Sequence, residues 1–250
     1  MENIFTFGEY DLSKVLRIDT IERPVMDIAN TFLEVKGSAN RFLRNKPEGK
    51  EIIVTATYRA REGHDEDADL FQVLGDGSAS SLARMLYTKE PTKLVLGDRP
   101  QLFDMAVIDG EVSAERFFYI TKYKMKFVSP YPYSFGAKVE KTVTGTATIE
   151  NTGDFDVYPM IHLPNLSSGK TEIINSTTGD TPFRLNYTQF VGSNVYVDNE
   201  NMTCTIAKKT SIEKYIPLDS RWIRLAPGTN TITVSPSQSM TISFYPKYQG

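Results

Sequence analysis

The sequence predicts a mostly β protein made of two β-sandwich domains, the first carrying one helix, and three observations predict it. From Phe117 to Val128 a period of two is kept over a dozen residues. After Tyr133 the chain breaks into short apolar runs punctuated by Asn, Asp, Gly and Thr, as a sandwich requires. The composition also shifts: residues 1–136 hold 18 Lys+Arg, 21 Asp+Glu and eight threonines, whereas residues 137–250 hold 10, 10 and 17, the balance of a Thr-faced sheet. The expected domains are therefore 1–136 and 137–250.

In the first domain, Ile4, Phe5 and Phe7 before Gly8 suggest a first strand, Val15 to Ile21 a second, and Thr31 to Val35 a third. Residues Asn40 to Gly49, with three basic side chains and Pro47, read as an exposed loop. Glu51 to Arg61 reads as a half-buried strand in which Ile52, Val54, Ala56, Tyr58 and Ala60 alternate with Ile53, Thr55, Thr57, Arg59 and Arg61. Ser80 and Ser81 are helix N-caps, and Leu82, Met85 and Leu86 at i, i+3 and i+4 predict a helix over about 80–88. Lys93–Asp98 and Leu102–Gly110 are strands closed by Gly-Asp and Asp-Gly turns.

The register of Phe117–Val128 is strongly specified. A slip of one residue would bury Lys122, Lys124 and Lys126 in place of large apolar groups, each worth roughly 1.5–3 kcal/mol when buried. Pro130-Tyr131-Pro132-Tyr133 then ends the ladder, because neither proline can donate a backbone hydrogen bond.

In the second domain, Val139–Glu150 reads as one long strand with Val143, Ala147 and Ile149 facing one way and Thr142, Thr144, Thr146 and Thr148 the other. Strands follow at Val157–Leu163, Lys170–Ile174, Phe183–Tyr187, Asn194–Asp198, Met202–Ala207, Thr229–Ser235 and Met240–Tyr245, with no convincing helix.

Several functions lose support from composition and spacing. A net charge of -3 argues against a basic nucleic-acid-binding surface. No charged n-region with an apolar core opens the chain and no apolar run approaches 20 residues, so the expectation is a soluble protein made in a cytoplasm, with no membrane partner. The single Cys204 reads as a small buried strand residue in a reducing compartment.

Asp65, Asp67 and Asp69 have the spacing of the first ligands of an EF-hand loop, but Leu70 replaces the turn glycine and Asp76 the bidentate glutamate, so a solvated acidic loop is preferred. Gly169-Lys170-Thr171 lacks the earlier glycine and the helix of a phosphate-binding loop. His162, between Ile161 and Leu163, is expected to face solvent, and the sequons at Asn165, Asn175, Asn186 and Asn201 follow from an Asn/Thr-rich composition. No pattern nominates a catalytic residue, a metal ligand or a cofactor, and no enzyme activity is expected.

One resemblance is carried by succession rather than by a single motif. Leu82–Tyr87 with Glu90-Pro91, Leu94-Val-Leu96, Asp98-Arg-Pro100, Phe103 to Gly110 and the strand ending in Pro130-Tyr-Pro-Tyr133 resemble the distal tail protein (Dit) family of long-tailed siphophages. Glu150-Asn-Thr-Gly153, Tyr158-Pro159, Ile174-Asn175 with Thr178-Gly179, Val197-Asp198 and Leu225-Ala-Pro-Gly-Thr-Asn230 with Ile232 resemble its second half.

The resemblance implies an N-terminal β-sandwich with one helix, then a galectin-like (jelly-roll type) β-sandwich, with Ser243–Tyr248 a candidate to pack back on the first domain. It implies a structural hub at the tail tip of the virion: a hexameric ring, active in host adsorption, that joins the tail tube protein to the tail-tip (Tal-like) protein, with a receptor-binding protein as a further candidate partner. DNA would pass through the channel without specific binding.

Two surface candidates follow. Lys122, Lys124 and Lys126 form a basic row, read as a subunit contact with the channel wall or a plain solvated face as alternatives. Trp222, the only tryptophan, is a core or interface anchor if it faces in with Arg221 and Ile223 out, or a sugar platform if it faces out. The second option belongs to the alternative function, a carbohydrate-binding adhesion module for host cell-wall glycans.

Overall fold

A computed structural model of the chain describes residues 3–23, 28–33, 41–47, 49–59, 82–117, 120–167, 169–186 and 191–249. The chain divides into two compact units, one of Met1–Ser134 with Gln249–Gly250 and one of Phe135–Tyr248. Each has its own buried apolar cluster.

The first unit contains β1 (Phe5–Phe7), β2 (Tyr10–Asp11), β3 (Leu16–Glu22), β4 (Ile28–Leu33), β5 (Arg41–Pro47), β6 (Lys50–Arg59), α1 (Leu82–Leu86), β7 (Thr92–Leu96), β8 (Asp104–Ile108), β9 (Ser113–Phe117) and β10 (Ile120–Ser129). Eight of these strands form one antiparallel sheet in the order β2-β1-β7-β8-β10-β6-β3, with β9 on β10. The sheet curls on itself: β1 and β10 are separated by two strands, yet the Phe127 ring meets Phe7 at 5.2 Å and Phe5 at 6.2 Å between centroids. Leu82, Met85 and Leu86 of α1 are all buried in the same core, as their spacing predicts.

Two expectations are corrected here. The strand expected from Phe117 begins at Ile120, and Phe117 ends β9, which pairs back on β10 with Ile120 opposite Phe117. Residues expected as an exposed loop include β5, whose backbone pairs with β4 across a bulge between Thr31 and Phe32. Charged side chains can occupy one face of a two-stranded ribbon without penalty, so charge density did not exclude a strand there. The acidic run 64–69 and the helix cap at 80–81 lie outside the described residues.

The second unit contains β12 (Val139–Thr144), β13 (Thr146–Asn151), β14 (Met160–Leu163), β15 (Lys170–Asn175), β16 (Phe183–Asn186), β17 (Val195–Asp198), β18 (Thr203–Ile206), β19 (Thr210–Ser211), β20 (Gly228–Ser235) and β21 (Ser239–Phe244). A further ladder joins β11 (Tyr133–Phe135) to β22 (Lys247–Gln249). Two sheets, β12-β21-β14-β17-β18-β19 and β13-β20-β15-β16, contribute side chains to one core.

The single strand expected over 139–150 is two strands in different sheets. Gly145, at φ +68, makes the break in a backbone region where a Cβ would be strained. The alternation survives because both sheets look onto the same core: Val143 and Ile149 are buried on either side of the corner.

Four buried asparagines tie down the irregular stretch before β20. Asn175 Nδ2 donates to Arg224 O (2.7 Å) and Asn230 Oδ1 (2.9 Å). Asn230 Nδ2 donates to Ala226 O (2.7 Å) and Gly228 O (3.0 Å), while its Oδ1 accepts from the Ala226 N–H (3.0 Å). Asn199 Oδ1 accepts from the Ile223 N–H (2.8 Å), and Asn151 Nδ2 donates to Leu225 O (3.2 Å). A primary amide supplies two donors and an acceptor at one point, so it replaces the ladder bonds that an irregular buried segment lacks.

Candidate functional site

The most structured surface feature is a groove on the outer face of the six-stranded sheet. Strand register builds it. Glu140, Ser243, Met160, Asp198 and Thr203 form one row across five strands, and Thr142, Thr241, His162, Tyr196 and Thr205 form the next. The intervening row, Ile242, Ile161, Val197 and Cys204, points into the core. The groove encloses about 560 Å³ and is also lined by Lys138 and Lys208.

At its floor the His162 imidazole stacks on the Tyr196 ring, with centroids 4.3 Å apart and planes within 5°. His162 is thus on the outer face, as expected, but it is not simply solvated: its Nε2 is buried with no hydrogen-bond partner. The Lys208 Nζ stands 4.9 Å from the centroid of Tyr196. Lys208 sits in a tight turn between β18 and β19, closed by the Lys209 N–H donating to Ile206 O at 2.9 Å. Both central residues of that turn, Ala207 (φ 50) and Lys208 (φ 58), hold the left-handed conformation that Asn-Gly usually supplies.

The groove is electrically balanced. Lys138 Nζ lies 2.6 Å from Glu140 Oε2, a hydrogen bond that raises the lysine and lowers the carboxyl from their ordinary values. Asp198 accepts from the Asn201 N–H (3.0 Å) and from Asn201 Nδ2 (2.8 Å). Two lysines therefore face two carboxylates among the lining residues.

The basic row is on the outer face of β10, where Lys122 and Lys124 are exposed. Lys126 is paired, with Nζ 2.7 Å from Glu51 and 3.2 Å from Asp109, and these hydrogen bonds raise its pKa. Trp222 is half-buried and packs on Phe183 with centroids 5.4 Å apart, while Ile223 is buried rather than outward. The stretch 221–224 is not a strand, so alternation did not apply to it. Cys204 is fully buried, and burial pushes its thiol up to about 12, which makes it inert as a nucleophile. Lys170 opens β15, so no helix follows the Gly169-Lys170-Thr171 stretch.

One cluster escaped the sequence reading. In the first unit Arg23 bridges Asp98 (2.8 Å) and Asp104 (2.6 Å), while Lys50 Nζ reaches Asp104 Oδ1 and Ser134 Oγ, each at 2.7 Å. Burial alone would raise the Asp104 carboxyl, but Lys50 and Arg23 outweigh it and hold the group below its ordinary value. Burial pulls Lys50 down, only partly offset by the shared Asp104. Arg23 lies 75 and 81 residues from its two partners, so no local pattern announces the cluster.

These features define a class: a two-unit, mostly β protein with a groove on the outer face of one sheet. Residues 152–248 match the family model of the siphovirus-type tail component, C-terminal domain. Over the whole chain the fold is similar to the Dit protein of phage SPP1, described as a paradigm of the hub adsorption apparatus in phages infecting Gram-positive bacteria. That match has 18% identity, covers 98% of each chain and has a TM-score of 0.74. A chain of the phage P2 baseplate in its activated conformation with calcium matches at 10% identity over 97% of this chain and 98% of that one, with a TM-score of 0.49. No curated protein matches. The resemblance to the distal tail protein family read from the sequence is thus met in the second half by the family model and along the whole chain by the fold.

Proposed function

We propose that this chain is a structural hub protein of a long-tailed phage tail tip, resident in the virion, that assembles as a hexameric ring joining the tail tube to the tip and receptor-binding proteins. The observation that carries the reading is the correspondence with SPP1 Dit across the full length of both chains. In this reading the first unit forms the ring, the second is a galectin-like outer sandwich, and the protein works through surfaces rather than as an enzyme.

Edge strands and outward faces are where such a ring would close. β3, at one end of the first sheet, carries a bulge between Ile18 and Thr20 that spoils it as a template for strand addition. The exposed Lys122 and Lys124 on β10 are then the better subunit contact, with Lys126 held locally by Glu51 and Asp109.

The test is native mass spectrometry with negative-stain imaging, alone and with a tail tube protein added. Rings of about six subunits support the reading, and they should be lost when Lys122 and Lys124 are both changed to glutamate. A chain that stays monomeric with and without the tube protein refutes ring formation.

A further inference from the structure

We infer that the open edge of β13 is a strand-pairing surface for a second copy of this chain, and that Lys141 is the residue that keeps it shut. The inference does not rest on the hub reading. It is carried by the hydrogen-bond parity of β13, by the place of Lys141 beside it, and by the charge that pairing would bury.

β13 ends one sheet of the second unit and β12 ends the other, and the turn at Gly145 brings the two edges to the same flank. At the other ends of these sheets the edge strands are shorter, β19 with two residues and β16 with four. β13 has six residues, no proline, no bulge against β20 and one ionisable side chain, Glu150. Such an edge is a template for a further strand.

The parity of that edge is fixed by two observations. The Val234 N–H donates to Gly145 O at 3.0 Å, so bonding to β20 falls on Gly145, Ala147, Ile149 and Asn151. Thr231, opposite Thr148, turns its backbone the other way: its carbonyl accepts from the Ser176 N–H at 3.0 Å and its N–H donates to Thr177 Oγ1 at 2.9 Å. The N–H and C=O groups of Thr146, Thr148 and Glu150 therefore point off the edge. Two such strands laid antiparallel about Thr148 set Thr148 against Thr148 and Thr146 against Glu150, and every edge N–H of both copies meets a carbonyl.

Lys141 stands in the way. It lies between Val139 and Val143 on β12, in the parity that faces the core, and its ammonium crosses the flank to donate to Thr148 O at 2.8 Å. That carbonyl is the central acceptor of the pairing. Closing the edge would displace this bond and carry the Lys141 ammonium of each copy to one two-fold axis, out of water and facing its like. An inward-turned charge beside a free edge is a general way to refuse strand addition. Any assembly that gathers second units at high local concentration makes that refusal useful.

The experiment follows the full chain by sedimentation velocity and residue-resolved hydrogen exchange over a series of rising concentrations. In the wild-type chain the amides of Thr146, Thr148 and Glu150 should exchange fast at every concentration, while those of Ala147 and Ile149 are slow. In Lys141→Met, which keeps the aliphatic stem and removes the charge, the mass should climb with concentration above the wild-type value, and the three edge amides should slow about tenfold or more. Lys141→Arg should behave as the wild type. A charge swap separates pairing from a folding defect: Lys141→Glu alone should stay unpaired, whereas its mixture with the wild-type chain should associate, because the two side chains then attract across the axis.

The inference is overturned by slow edge amides in the wild-type chain, by Lys141→Met that keeps the wild-type mass or associates with its edge amides still fast, or by a charge-swap mixture no heavier than its parts. Rings closed by the first unit change the mass without slowing these amides, so the hub reading and this one fail separately.

Discussion

The two units bury their polar groups in opposite ways. The first gathers full charges, Arg23 and Lys50 with Asp98 and Asp104, where segments distant in sequence converge; Lys50 is 4% and Asp104 2% exposed. The second relies mainly on neutral amides, Asn151, Asn175, Asn199 and Asn230, which hold chain that has no ladder, beside one buried ammonium, Lys247, paired with Glu200 at 3.0 Å. Charges give strong attraction but leave a large penalty when one member is lost, whereas amides risk less per residue and do not titrate. The first arrangement is therefore brittle and pH-dependent, the second graded and pH-independent.

The largest effect expected from this contrast is at Asp104. Asp104→Ala leaves Lys50 and the Arg23 guanidinium without their shared carboxylate and should cost about 3–5 kcal/mol, read by urea unfolding. Hydrogen exchange should place the loss on β6 and β8; protection lost equally from β20 would break the contrast.

Asn230→Ala is next. It strips one acceptor and two donors from the loop before β20 and should cost about 1–3 kcal/mol, with faster exchange confined to 222–230.

Acid sharpens the comparison. Because the folded Asp104 lies below its unfolded value near ~3.9, its contribution is complete above that pH and is lost as pH falls through the depressed folded value. Protection at β8 should therefore fall below about pH 4 before protection at β20, whose unit has its lowered carboxyls Glu140 and Asp180 at the surface. The smallest effect is chemical: with its thiol raised to about 12, Cys204 should resist iodoacetamide at mildly alkaline pH in the native chain and react once urea unfolds it.

Much of the fold was legible because period-two alternation survives in strands with one buried face. Ile52, Val54, Ala56 and Tyr58 on β6, and Tyr123, Met125 and Phe127 on β10, are buried as the pattern requires. Alternation is blind to which sheet a strand joins, so the corner at Gly145 passed unseen although its parity was read correctly. It was also silent on 221–224, where loop conformation buried Ile223 against expectation.

The groove was half legible. His162 was read as outward-facing, but the partner that covers it, Tyr196, lies on another strand, and register between strands is set by packing rather than by either sequence alone. The charged cluster was not legible at all, since its members meet only after the sheet has closed.

The corner at Gly145 also governs time. β12 and β13 find their partners in β21 and β20, so the Thr142–Thr241 contact spans 99 residues and Thr146–Thr233 spans 87. Loops of that length must close before either sheet gains its long pairing, and chains dominated by such contacts fold over roughly milliseconds to seconds, not microseconds. Until those pairings form, the inner faces of β14 and β17 stay uncovered, so the yield of the second unit is expected to fall at high temperature and concentration during synthesis.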